Sequence, residues 1–138
     1  MKLGATETIK FKKLKMKLGL TQWQTIGVLE SIWMFTSRNA PQGDLGRHSN
    51  EDISASIEWL GDADLLIETL LECRWLDASK ECRFVIHDWG EHMPNWLRGN
   101  LAKHRKPIKT GDSAKQVAQQ TAKQRAVNGA EQQPIVPY

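Results

Sequence analysis

The run His87-Asp88-Trp89-Gly90-Glu91-His92 puts two imidazoles and two carboxylates within six residues, donors that suit zinc or another divalent metal. A catalytic metal would also want an open coordination position and a positioned acid or base. The step from His87 to His92 crosses a predicted strand end and a turn, so no helical i, i+4 pair fixes the ligands. The competing reading is structural: polar residues at a strand end around Trp89 as an anchor. We expect the structural reading, with no metal and no cofactor. Cys73 and Cys82 have eight residues between them, which is not a ligand spacing, and two thiols are too few for a disulfide framework. They read as buried or idle thiols in a reducing cytoplasm. There is no Gly-rich phosphate loop, no Ser or Cys nucleophile beside a base, and no paired carboxylates in an evident cleft. An enzyme is therefore not expected.

The charges suggest a different chemistry. Residues 1–20 carry six Lys against one Glu, or +5. Residues 21–100 carry six Lys/Arg against thirteen Asp/Glu, or −7. Residues 101–138 carry seven Lys/Arg against two Asp/Glu, or +5. The net +3 of the 138-residue chain hides this segregation. Lys10, Lys12, Lys13, Lys15 and Lys17 form one basic cluster. Lys103, His104, Arg105, Lys106 and Lys109 form another. Each could contact nucleic-acid phosphates and give non-specific, salt-sensitive binding. Lys80 and Arg83 could add to them. Arg47 and His48 stand just before a predicted helix, where Ser49 and Asn50 could also reach a phosphate; capping explains Ser49 without any ligand. The plain alternative is that both arms only solubilise the chain, or fold back on the acidic body.

These residues need elements to position them. In residues 9–18 the spacing Phe11, Leu14, Leu18 suits a helical face, and we expect an extended or weakly helical arm that docks through Phe11 and Leu14 and ends at Gly19. Thr21 caps a helix from about Gln22 to Ser37, with Trp23, Ile26, Leu29, Ile32 and Trp33 on its apolar side. Ala40-Pro41-Gln42-Gly43 is a turn, and Asp44-Leu45-Gly46-Arg47 a short extended piece. Ser49 caps a second helix running to about Trp59, with Asp52 three residues on and Ile53 and Ile57 inward. After the Leu60-Gly61 turn, Asp62 caps a third helix over 63–73, with Leu66, Leu70 and Cys73 on one face. Residues 75–77 and 82–87 read as two strands joined by residues 78–81. Pro94 precedes a last helix from about Asn95 to His104, with Trp96, Leu97 and Leu101 apolar. From Ile108 the composition turns to Ala, Gln, Lys and Thr, too poor in large apolar residues to offset its ordering entropy; residues 115–125 could form a transient helix.

The order helix, short strand, helix, turn, helix, hairpin is that of an α+β winged helix-turn-helix domain, with the hairpin as the wing. We divide the chain into a basic N-terminal arm (1–20), the winged-helix domain (21–104) and a basic, mostly disordered tail (105–138).

The run of residues adds a resemblance. Phe11-Lys12-Lys13-Leu14, Gly27-Val28-Leu29-Glu30, residues 40–47, Cys73-Arg74-Trp75-Leu76-Asp77 and Val85-Ile86-His87-Asp88-Trp89 resemble phage and prophage replication-associated proteins over about residues 10–100. Their N-terminal winged-helix domain is similar to that of DnaD-type replisome organisers. The resemblance implies a DNA-linked role in replication initiation or helicase loading, with a helicase or its loader as partner, and a structural role for Trp89. It also implies that longer relatives carry a second domain after the linker. One departure is Arg74, where the family often has Gly to tolerate positive φ after a helix.

The third helix of such a domain ordinarily reads base edges in the major groove. Here it offers Asp62, Asp64, Glu68, Glu72 and Thr69. Four acids would be repelled by a duplex carrying one charge per ~1.7 Å. The expectation is a DNA-associated replication or regulatory adaptor that uses its basic arms. The alternative is a protein-interaction module of a replication assembly that uses this acidic helix and the wing. No stretch approaches the ~18 apolar residues of a membrane span, and no apolar signal core follows the basic N-terminus, so no membrane partner is expected.

Overall fold

A computed structural model describes residues 1–2 and 4–112. The reading of residues 113–138 as disordered tail, with a transient helix at 115–125, lies outside the described residues. The fold is α+β. Among the described residues there are six α-helices, α1 (Ile9–Leu18), α2 (Gln22–Asn39), α3 (Asn50–Ser56), α4 (Ala63–Glu72), α5 (Trp89–His92) and α6 (Asn95–Lys103). Strands β1 (Leu76–Ser79) and β2 (Arg83–Ile86) pair antiparallel, Leu76 opposite Ile86 and Ser79 opposite Arg83.

Helix starts follow the capping chemistry of the sequence. Thr21 accepts from the backbone N–H of Gln24 while the Gln24 side chain accepts from Thr21, a complete capping box. Ser49 accepts from Asp52 N–H at 3.0 Å, and Asp62 from the N–H groups of Asp64 and Leu65. Helix ends are less obvious. After α3, α4 and α6 the chain turns through Glu58, Arg74 and Arg105, all in the left-handed region, with φ of 59°, 67° and 54°. Arg74 thus adopts the positive φ that the resemblance assigns to Gly. The Trp75 N–H reaching back to Leu70 O at 2.9 Å closes that end.

One core joins all the elements. Phe11 and Leu14 from α1 meet Leu29, Ile32 and Trp33 from α2, Ile53 from α3, Leu66 and Leu70 from α4, and Phe84 and Ile86 from β2. Trp89 closes it, with its indole N–H donated to Pro41 O at 2.8 Å. Gly46 lies under the hairpin because nothing larger fits. A Cβ there would sit 2.1 Å from Cys82 O and 2.5 Å from Phe84 N.

The structure corrects several local expectations. The N-terminal segment is neither extended nor weakly helical: α1 is a full helix, capped by Thr8, with Phe11 and Leu14 completely buried. The expected short strand at 44–47 is a 3-10 turn over Leu45–Arg47, and the sheet has two strands. The second helix stops at Ser56 rather than near Trp59. Trp23 and Trp96, expected on apolar faces, are 80% and 61% exposed. On α2 the buried stripe runs through Thr25, Leu29, Ile32 and Thr36, and Trp23 falls opposite it. The turn α5 was not expected at all. Residues 105–112, expected as the start of a disordered tail, run back over the body.

Candidate nucleic-acid interface

The basic clusters divide into residues held by the fold and residues left in solvent. On α1, Lys10 is half-buried with its ammonium 4.3 Å from the centroid of the Trp75 ring. Burial lowers the Lys10 pKa, and the Asp88 and Asp77 charges partly oppose that. Lys17 pairs with Glu72 and so ties α1 to α4; that hydrogen bond raises its pKa. Lys12 and Lys13 are exposed and Lys15 is half-exposed. Lys12 lies 3.9 Å from Glu7, a loose exposed pair. Lys13 and Lys15 have no carboxylate within pairing distance among the described residues.

The second cluster starts where α6 ends. Lys103, Arg105 and Lys106 are exposed, again without an acidic partner among the described residues. Lys109 is different. Its ammonium lies 2.9 Å from Glu81 and 3.7 Å from the buried Asp44. The Glu81 hydrogen bond raises its pKa. Around it the strap of residues 105–112 is pinned by backbone. Lys109 N–H donates to Gln42 O at 2.8 Å, the Gln42 amide donates to Pro107 O at 2.8 Å, and Asp112 N–H donates to Ala78 O at 2.9 Å. Asp112 also accepts from Lys80 N–H at 2.6 Å, so the strap lies along the hairpin.

Arg83 is spent on structure. Its guanidinium donates to Gly46 O at 2.7 Å, His48 O at 2.5 Å and Asn50 Oδ1 at 3.2 Å, stapling β2 to the segment before α3. Arg47 is exposed and 3.8 Å from Asp44. Arg47, His48, Ser49, Asn50, Asp64 and Arg83 line one shallow depression. Two acids, Glu51 and Asp64, share or rim that surface, so it is of mixed sign. Asn50, read in the sequence as a phosphate donor beside Ser49, is instead held between Arg83 and Asp64, partners too distant in sequence for that link to be expected.

The acidic helix is α4. Asp62, Asp64, Glu68 and Glu72 are all exposed. Asp62 is occupied as the cap, Asp64 accepts from Asn50 at 3.0 Å and Glu72 holds Lys17, which leaves Glu68 outermost.

The two histidines of the metal-like run go to different partners. His87 Nδ1 lies 2.7 Å from Asp77 Oδ2, and its Nε2 lies 3.3 Å from Asp88. His92 stacks flat on Trp33, ring centroids 4.2 Å apart and planes 8° apart. Burial, and then the Lys10 charge, lowers the His92 pKa. Among the described residues no three His, Cys, Asp or Glu side chains come together as a metal site. Cys73 is buried, which raises its thiol pKa, and Cys82 is half-buried; both are free. No described helix is long and apolar enough to cross a membrane.

No protein-family model, no curated protein and no solved structure matches this chain.

Proposed function

We propose that this chain is a DNA-associated adaptor of replication or regulation, built on a winged helix-turn-helix in which α2, α3 and α4 are the three helices and β1–β2 the wing. The element order and the short turn from Ile57 to Asp62 support that reading of the fold. The observation that carries the function is the set of exposed cations Lys12, Lys13, Lys103, Arg105 and Lys106, with the half-exposed Lys15 beside them. Of these only Lys12 has a carboxylate within 4 Å among the described residues. Phosphates reward such charges without asking for base contacts. The exposed acids of α4 argue against the usual insertion of that helix into the major groove.

The test is fluorescence anisotropy of labelled duplex and single-stranded DNA over a salt series. Six phosphate contacts give a log–log salt slope of about −5, and a loss of roughly a thousandfold in affinity between about 50 and 200 mM salt. Replacing Lys12, Lys13 and Lys15 together by Ala flattens that slope by about 3. Absence of binding at low salt rejects the reading. The second reading, a protein-interaction module without DNA binding, is favoured by one observation. Lys10, Lys17, Arg83 and Lys109, all basic-cluster or wing candidates, are engaged within the fold, while Glu68 on α4 is open to a basic partner.

A further inference from the structure

The strap takes its conformation from the body beneath it. Among the described residues no hydrogen bond runs within 107–112, and every bond goes outward. Pro107 O accepts from the Gln42 amide, and the N–H groups of Lys109 and Asp112 donate to Gln42 O and Ala78 O. The Lys109 ammonium pairs with Glu81. Shape matches as well. A Cβ at Gly111 would stand 2.4 Å from Asp77 Cβ, and one at Gly90 would come 3.3 Å from Ile108 Cδ1. The body is thus a seat for this particular segment, and every copy of the chain carries both seat and segment.

The hinge that feeds the strap is strained. At the end of α6, Arg105 N–H donates to Ala102 O at 3.2 Å and Lys106 N–H to Leu101 O at 2.9 Å. That closure puts Arg105 at φ 54°, a conformation free to glycine and costly to a side chain. Pro107 holds Lys106 extended. Lys106 alone separates Arg105 from Pro107, the first seated residue, so the turn has no slack to relax in.

We propose that the strap exchanges between two copies of the chain, each laying residues 106–112 on the seat of the other. In the exchanged pair α6 runs on through Arg105 and the left-handed turn disappears. Every strap contact is remade across the pair, so the match is assured by identity. A short hinge under strain favours such an exchange. The exchange is independent of DNA.

The tether sets the strength. A strap on a short linker meets its own seat at an effective concentration on the order of millimolar. Two relaxed hinges favour the pair by roughly tenfold or more, which places the dimer Kd on the order of 100 μM.

The test mixes equal amounts of the full chain in ordinary and nitrogen-15-labelled form. A carbodiimide then couples Lys109 to Glu81 without a spacer, and mass spectrometry reads the joined peptides. At about 1 mM, above that Kd, mixed-isotope Lys109–Glu81 links should appear; at about 5 μM only same-isotope links should remain. Sedimentation velocity follows the dimer over the same range. Arg105→Gly relaxes the turn in the closed form and should weaken dimerisation at least tenfold. Arg105→Ala keeps the strain and the helix propensity, so its dimer should match the wild type within about twofold. Gly111→Val unseats the strap in both forms, and the link and the dimer should both be lost. A monomer at every concentration overturns the proposal. So does a dimer whose links stay within one isotope, or one indifferent to Arg105→Gly.

Discussion

The Lys-rich segment before α2 and the Lys-rich segment after α6 carry similar charge, and they attach to the body by different forces. α1 sinks Phe11 and Leu14 completely into the core and lays Lys10 on Trp75. The strap of residues 105–112 puts no side chain into the core; its Ile108 is 36% exposed. Polar contacts hold it, to Gln42, Asp44, Ala78, Lys80 and Glu81. Two apolar side chains one helical turn apart convert a charged arm into part of the domain. Without them a charged segment stays a surface feature whose attachment depends on salt.

The sharpest way to break this comparison is at Phe11. Phe11→Ala removes a fully buried aromatic side chain and should lower stability by ~3–5 kcal/mol. A denaturant titration reads this directly. Lys13→Ala on the same helix is the control and should change stability by no more than ~0.5 kcal/mol. If Phe11→Ala costs no more than Lys13→Ala, α1 is a surface arm after all.

The same comparison shows what could be read from the residues. Thr21, Ser49 and Asp62 cap helices where their side-chain chemistry places them, and the hairpin lies within two residues of its expected span. These are local signals. Phe11 and Leu14 were legible as contacts, but Lys10, Lys12, Lys13, Lys15 and Lys17 repel one another at three- and four-residue steps on an isolated helix, and tertiary burial completes it. The exposure of Trp23 and Trp96 was not legible, since a large apolar residue at helical spacing ordinarily marks the core. Nor were the roles of Arg83 and Lys109. Both are cations whose acceptors come from segments 28 or more residues away, and charge pattern alone cannot tell such a staple from a phosphate contact.

The ends of the two helices sharpen the comparison further. α1 ends on Gly19 with φ 67°, while α6 passes into the strap through Arg105 with φ 54°. The conformations match and the residues do not. Exchanging them should act in opposite directions. Gly19→Arg should lower stability by about 1 kcal/mol, and Arg105→Gly should raise it by up to about 1 kcal/mol. Thermal melts of the two variants and their double check this. A fall on Arg105→Gly would mean that the arginine side chain, rather than the turn, holds the strap's first residue.

Acid should act at the α1 end. His92 lies against Trp33 in reach of the Lys10 charge, and burial lowers its pKa from the ordinary 6.5. The unfolded chain therefore binds a proton there before the folded chain does. Stability should be unaffected by this group above pH 6.5 and should fall as pH drops from 6.5 through the lowered folded value. His92→Phe preserves the stack and removes this dependence. Urea midpoints at a series of pH values compare the two proteins, and equal slopes would reject the assignment.

The smallest effect belongs to the strap, and salt is the reagent for it. At about 1 M salt the screening length is ~3 Å, so the contacts of Lys109 with Glu81 and Asp44 lose most of their pull. The exposed pair contributes no more than about 1 kcal/mol, so global stability should barely move. Local opening should move instead, because the strap has no buried side chain to resist it. Hydrogen exchange at the amides of Lys80, Lys109 and Asp112 should speed up together, since all three donate across the strap or within its contacts. The amides of Leu14 and Lys15 in α1 should keep their rates. Asp112→Ala should reproduce the change at Lys80 in low salt by removing its acceptor. If salt instead loosens α1 and leaves the strap protected, burial of Phe11 and Leu14 is not what distinguishes the two ends.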